Sequence, residues 1–267
     1  MSAWQQRITG IAGAVLLFAS LTVPVTASAQ ANPANHPDTL FVTGERIVIS
    51  PGAAGMTGAV EWLHAIAPTR SFNAGVLTFR MGDSLWTYAR VGAMWPLTES
   101  TTVRVQTDAG AGRDANDRFP YLTVQGAISH DIVTRRLTVE AGHQYVHIHT
   151  TAGHVGRVAV GYRAGGLWTI GAAFHSSFGT SLGVRAATLR IARDTRLATV
   201  FGGLSSGTSR PALIGTAARG VAADVRELFG GAVIPIGRFS LTAAISALDS
   251  HATRKRSVVL SWKLPLP

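Results

Sequence analysis

The stretch Ser257-Val258-Val259-Leu260-Ser261-Trp262-Lys263-Leu264 alternates along its length. Taken in steps of two, Val258, Leu260, Trp262 and Leu264 form an apolar face, while Ser257, Val259, Ser261 and Lys263 form a mostly polar one. That period belongs to a strand, not a helix. A half-buried strand of a soluble sheet satisfies it, and so does a lipid-facing strand of a membrane barrel.

Working back from this stretch, the same theme recurs to about Met56 in segments of ~10 residues separated by turn-forming clusters. Arg104, Gln106 and Asp108 alternate with Val103, Val105, Thr107 and Ala109. Val158, Val160 and Tyr162 oppose Arg157, Ala159, Gly161 and Arg163. Leu122, Val124, Gly126 and Ile128 oppose Tyr121, Thr123, Gln125 and Ser129, and Phe239, Leu241, Ala243 and Ile245 oppose Ser240, Thr242, Ala244 and Ser246. Turn signals lie between them, at 67–70, 81–84, 96–100, 164–166 and 192–195, and longer polar stretches at 110–118 and 205–211 read as outer loops. Trp86, Trp95, Trp168, Trp262, Tyr88, Tyr121 and Tyr162 fall near strand ends, which suits aromatic girdles.

The amino-terminal residues carry Arg7, an apolar run from Ile11 to Val25, and Ala27-Ser28-Ala29, the layout of a secretory signal peptide over 1–29. Residues 30–53 are expected to be a lead-in, disordered in part, with Thr39 to Ile49 a strand or an extension; 54–267 is the barrel. Of the 267 residues 46% are hydrophobic, yet no later apolar run approaches a membrane helix, and there is no cysteine to staple an exported chain. A closed sheet supplies stability without disulfides. Removing the single charge of Arg7 from a net +10 leaves +9, nearly all arginine, since Lys255 and Lys263 are the only lysines. With no basic helix or stacking platform, this charge points away from nucleic acid and toward lipopolysaccharide phosphates, a small anionic solute or a polysaccharide.

The expected fold is all-β: a transmembrane antiparallel up-and-down barrel. At about 17 residues per strand with its connection, the expected count is about twelve, with ten or fourteen as even alternatives. Lys255 to Trp262 resembles the carboxy-terminal targeting signal of Gram-negative outer-membrane proteins, with Ser257 where glycine is usual and Lys263 to Pro267 beyond the aromatic. That resemblance implies insertion by the barrel assembly machinery into the bacterial outer membrane. Within that superfamily, the size and the glycine-rich, arginine-bearing strands are similar to YaiO-type barrels.

Three constellations are candidates for chemistry. His175 and Ser177 in Phe174-His175-Ser176-Ser177 resemble the His-x-Ser pair of outer-membrane phospholipases and lipid A deacylases. Here Trp168, Ile170, Phe174 and Phe178 claim the lipid side, so the pair is expected in the lumen. His147 and His149, with His154 across a short connection, are a candidate metal set, although Leu137, Val139 and Ala141 share their face unless a bulge near Gly142 switches sides. Arg90, Arg104, Arg157 and Arg163 all fall opposite the bulky apolar residues, with Asp108 and Glu140 as candidate counter-charges. They form either an anion-preferring lining or a closed set of ion pairs. Gly202-Gly203 and Gly230-Gly231 lack a phosphate-loop lysine, and no cofactor is expected. The expected role is a small passive pore or an envelope structural or export accessory component. The alternatives are a lipid or lipopolysaccharide hydrolase using His175 and Ser177, and a soluble periplasmic binding barrel.

Overall fold

In the computed structural model, fourteen antiparallel strands close on themselves, each bonded to its sequence neighbours and β1 to β14. The described residues are 38–266, except 51–52, 68, 83, 114–117, 135, 149–150, 179–182, 210–222 and 251–253. The strands are β1 (Asp38–Ser50), β2 (Ala53–Ala67), β3 (Arg70–Met81), β4 (Ser84–Pro96), β5 (Thr101–Arg113), β6 (Arg118–Val133) and β7 (Leu137–Ile148). They continue as β8 (Thr151–Ala164), β9 (Trp168–Phe178), β10 (Arg185–Asp194), β11 (Thr199–Ser209), β12 (Ala223–Ile236), β13 (Phe239–Ser250) and β14 (Arg254–Pro265).

The count is therefore fourteen, one of the two even alternatives, and not the expected count of about twelve. One of the strands is Asp38–Ser50, within the residues read as a lead-in, where a strand over Thr39 to Ile49 is one of two readings: it pairs along its length with both β2 and β14. Others emerge because connections are short and strands run into the polar stretches, β5 to Arg113 and β11 to Ser209. The expected signal peptide, 1–29, and residues 30–37 lie outside the described residues.

Every turn at the rim holding both ends of the sheet is short; the longest connection, between Ser209 and Ala223, is at the opposite rim. These are called here the terminal rim and the loop rim. Gly165 and Gly166 close the β8–β9 turn with φ of 58° and 75°, which only glycine adopts without a Cβ penalty.

One parity runs through the sheet. Thr43, Glu45, Ile47 and Ile49 of β1 face inward, while Val42 and Val48 are exposed on the outer wall. The register then carries Glu45 to Thr57, Phe79 and Trp86 on the inside, and Arg46 to Met56 and Arg80 on the outside. The outer wall is apolar, with Val60, Val76, Val91, Val158, Ile170 and Ile245 all exposed.

At the terminal rim Trp62, Trp95, Tyr162, Trp168 and Trp262 stand outward in a girdle. Trp62 Nε1 donates to Asp38 Oδ1 at 2.8 Å, and the Arg70 guanidinium lies 4.2 Å from the Trp95 ring centre. Trp86, Tyr88 and Tyr121 do not belong to a girdle: they point inward and are buried. Parity dictates this, since Trp86 and Tyr88 share a face with Arg90.

Lumenal glycines let neighbours approach closely. A Cβ at Gly110 would stand 2.2 Å from Thr87 O and 2.5 Å from Tyr88 Cα, both backbone atoms. Gly110→Val should therefore cost about 1–3 kcal/mol through overpacking. A lowered urea midpoint, read by loss of the folded species on unboiled gels, checks this; an unchanged midpoint would show that β4 and β5 can part freely.

Candidate functional site

The lumen changes character along its axis. Toward the loop rim, the inward residues of most strands are apolar: Ile47 and Ile49, Phe79 and Met81, Trp86 and Tyr88, Phe119 and Tyr121, Val146 and Ile148, and Val155 form one buried cluster. Trp86 packs tilted on Phe119 at 4.5 Å between ring centres, and Tyr88 on Tyr121 at 4.8 Å. Ala186, Val225 and Leu248 continue the apolar lining on β10, β12 and β13. This collar was not foreseen from sequence; the shared parity of Trp86, Tyr88 and Arg90 was the signal available. Trp86 Nε1 is buried without an acceptor among the described residues.

Below the collar the inward positions become charged. Arg90 grips Asp108 with two bonds, Nε to Oδ1 at 2.8 Å and Nη2 to Oδ2 at 3.1 Å, and reaches Glu61 Oε2 at 3.5 Å. Asn73 donates to Glu61 at 2.8 Å, while Gln106 and Thr123 each donate to Asp108 at 3.3 Å. Strand pairing explains it: Arg90 lies directly opposite Asp108, and Asp108 opposite Thr123. At the seam Lys255 Nζ stands 3.9 Å from Glu45 Oε1, and Thr57 donates to Glu45 at 3.3 Å. Glu227 is buried nearby in the sheet on β12. Sequence reading missed Glu45, Glu61, Glu227 and Lys255; only Lys255 falls on a clearly polar face of its strand, with Ser257, Ser261 and Lys263, whereas Glu227 shares its face with Val225, Phe229 and Val233.

A second cluster sits on β5 to β9. Arg157 forms an ion pair with Glu140, and Arg104 Nη2 stands 3.7 Å from the same carboxylate oxygen. Two guanidinium groups thus share one carboxylate. A cavity of about 40 Å³ opens between Arg104, Gln125, Glu140, Gln144, Arg157 and His175. Arg157 Nε and His175 Nδ1 are buried there with no partner among the described residues, and on β10 Arg190 Nε is in the same condition with its guanidinium over the Phe201 ring at 4.7 Å. Arg163 lies nearer the terminal rim, 3.5 Å from Asp194. All four arginines singled out in sequence therefore face inward, and each has a carboxylate neighbour.

His175 and Ser177 also face the lumen. The Ser177 hydroxyl accepts the Val184 backbone N–H at 2.9 Å, and no bond joins it to His175 among the described residues. Across the sheet, His175 is paired in register with Arg157 and with Ala186; neither is a carboxylate that could orient an imidazole.

The histidine set is rearranged. No bulge interrupts β7, so His143, Tyr145 and His147 share the outer face with Leu137, Val139 and Ala141. His154 stacks on His143 at 5.1 Å and bonds to it at 3.2 Å, in place of the expected grouping with His147; His149 lies outside the described residues. No three metal-ligating side chains come together among the described residues.

No protein-family profile and no curated protein sequence matches the chain. Solved structures do match in shape. The CymD monoaromatic hydrocarbon channel aligns with a TM-score of 0.62 at 7% identity, covering 91% of this chain and 93% of that one. The Pseudomonas putida toluene transporter TodX aligns at 0.63 with 9% identity, covering 91% and 94%. At such identities the likeness is one of fold: this chain has the fold of outer-membrane β-barrel channels.

Proposed function

We propose that the protein is a passive outer-membrane channel for small solutes that join an apolar, aromatic body to an anionic group. The terminal rim faces the periplasm and the loop rim the outside. One observation carries this reading: the lumen passes from an aromatic collar at the loop rim to an arginine-bearing belt at mid-height. The collar is a packed aromatic cluster that holds the unpaired Trp86 N–H and has to part around a passing solute; the belt offers Arg104, Arg157 and Arg190, with Glu140 the carboxylate shared by the first two. Desolvating an apolar body at the collar while presenting unpaired donors beneath it suits an amphipathic anion better than an inorganic ion. The structural neighbours are named for monoaromatic hydrocarbons. A belt of charge is the feature by which this lumen would take the acid in place of the hydrocarbon. The YaiO-type likeness rests on the glycine-rich, arginine-bearing strands and names no solute.

Planar-bilayer recording of the refolded protein tests the reading. Discrete anion-preferring steps, shortened by benzoate and unaffected by a neutral sugar of similar size, are expected. Absence of steps from a barrel whose fold is verified by unboiled gel mobility would overturn it.

A further inference from the structure

The outer wall carries its arginines asymmetrically. At the terminal rim they lie over aromatic rings, Arg70 on Trp95, Arg193 on Trp168 at 5.0 Å and Arg238 on Phe239 at 5.1 Å. Across β14, β1 and β3, by contrast, Arg256, Arg46 and Arg80 are exposed with no aromatic ring or carboxylate partner among the described residues. Their outward cross-strand neighbours are Val48, Met56, Leu85, Val258 and Ala247. The adjacent Arg254 does have a partner, Asp249 at 3.5 Å. Meanwhile β7 to β9 present Tyr145, His143, His154, Phe174 and Phe178 and no outward arginine.

Height matters. Arg46 is six residues beyond Leu40, which pairs with Trp62 of the girdle; Arg256 is six beyond Trp262, and Arg80 eight beyond Phe72. On strands inclined as in such barrels, this places them about 15–20 Å from the girdle, in the far half of an apolar band ~25 Å tall. A guanidinium there needs an anion within reach of its snorkelling stem. Arg46 and Arg80 flank Met56, so their Cα atoms stand two strand spacings apart, about 10 Å, and Arg256 is offset from Arg46 by about 8 Å. Three cations strung along that line match a head group with several phosphates more closely than one with a single phosphate. Directly beneath Arg46, Gly44 and Gly58 pair across β1 and β2, and a Cβ on either would meet nothing within 4 Å. They leave a shallow trough in the wall, open to an acyl chain.

We infer that Arg46, Arg80 and Arg256 form a binding site for the phosphorylated glycolipid of the outer leaflet, lipopolysaccharide, with its phosphates on the guanidinium groups and an acyl chain along the Gly44–Gly58 trough. The site rests on the outer-membrane placement proposed above, with the loop rim outward. Arginine–phosphate pairing is strong and bidentate, and it is strengthened where the surroundings are apolar.

Native mass spectrometry of the detergent-solubilised barrel, titrated with bisphosphorylated lipid A, with the same lipid stripped of phosphate and with phosphatidylglycerol, tests the site. Wild type should retain bisphosphorylated lipid A selectively. Retention should weaken roughly fivefold for each arginine changed and a hundredfold in the Arg46→Gln/Arg80→Gln/Arg256→Gln variant. Arg70→Gln/Arg193→Gln at the other rim should bind as wild type. Equal retention by the triple variant, or equal retention of phosphatidylglycerol by wild type, overturns the inference. Single variants supply the reading if the triple one fails to fold. Cell fractionation separates the two claims: a protein missing from the outer membrane sinks the placement, whereas an outer-membrane protein indifferent to these substitutions sinks the lipid site alone.

Discussion

Asp108→Ala should cost the barrel about 3–5 kcal/mol, the range for stripping one partner from a buried ion pair. Asp108 is 4% exposed and accepts from Arg90 twice, from Gln106 and from Thr123. Its removal strands those donors at once and leaves Arg90 with only Glu61 at 3.5 Å. Asp108→Asn keeps an acceptor and the volume while losing the charge, so its cost should fall between wild type and alanine. Urea titration in detergent, followed by tryptophan emission and gel mobility, measures both. An alanine variant with an unshifted midpoint would mean that lumenal water screens the pair and that the network does not hold the wall.

Neutralising Glu140 should raise the anion preference of the proposed channel. With Glu140→Gln the charge shared by Arg104 and Arg157 is removed, and the belt gains a net positive charge at the cavity. A unit charge acting on a permeant ion ~8 Å away contributes about 0.5–2 kcal/mol between watery and protein-like screening, or roughly a two- to thirtyfold change in the permeability of either ion, in opposite directions for anion and cation. Arg104→Gln/Arg157→Gln should move the reversal potential the opposite way, because Glu140 then stands alone. Movement of both variants in the same direction would show that the belt lies off the permeation path.

Much of this was legible in the chain because a two-residue period assigns each side chain to one of two faces. Val258, Leu260, Trp262 and Leu264 face outward as their alternation requires, and Arg104 and Arg157 face inward for the same reason. Trp86 and Tyr88 show where that logic was overridden. Residue type suggested a girdle, while their parity with Arg90 placed them inside, and parity prevailed. What the period could not supply was register. That Arg90 meets Asp108, or that Ser177 spends its hydroxyl on Val184, depends on how far neighbouring strands slide. The sequence leaves β1 open for a related reason: Thr39 to Ile49 alternates well, but only its partners on either side decide between strand and extension.

The seam between β1 and β14 has a temporal meaning. Thr43 and Ser261, whose hydroxyls meet at 2.7 Å, are separated by 218 positions in sequence. Until β14 docks, β1 has one neighbour, and the open sheet carries two bare edges able to recruit a foreign strand. No partial barrel has a resting state of its own: thirteen strands form an open ribbon, and the fourteenth turns it into a ring without edges. The ring is thus edgeless only when complete, and a chain broken off before Arg254 would remain adhesive where the finished one is inert.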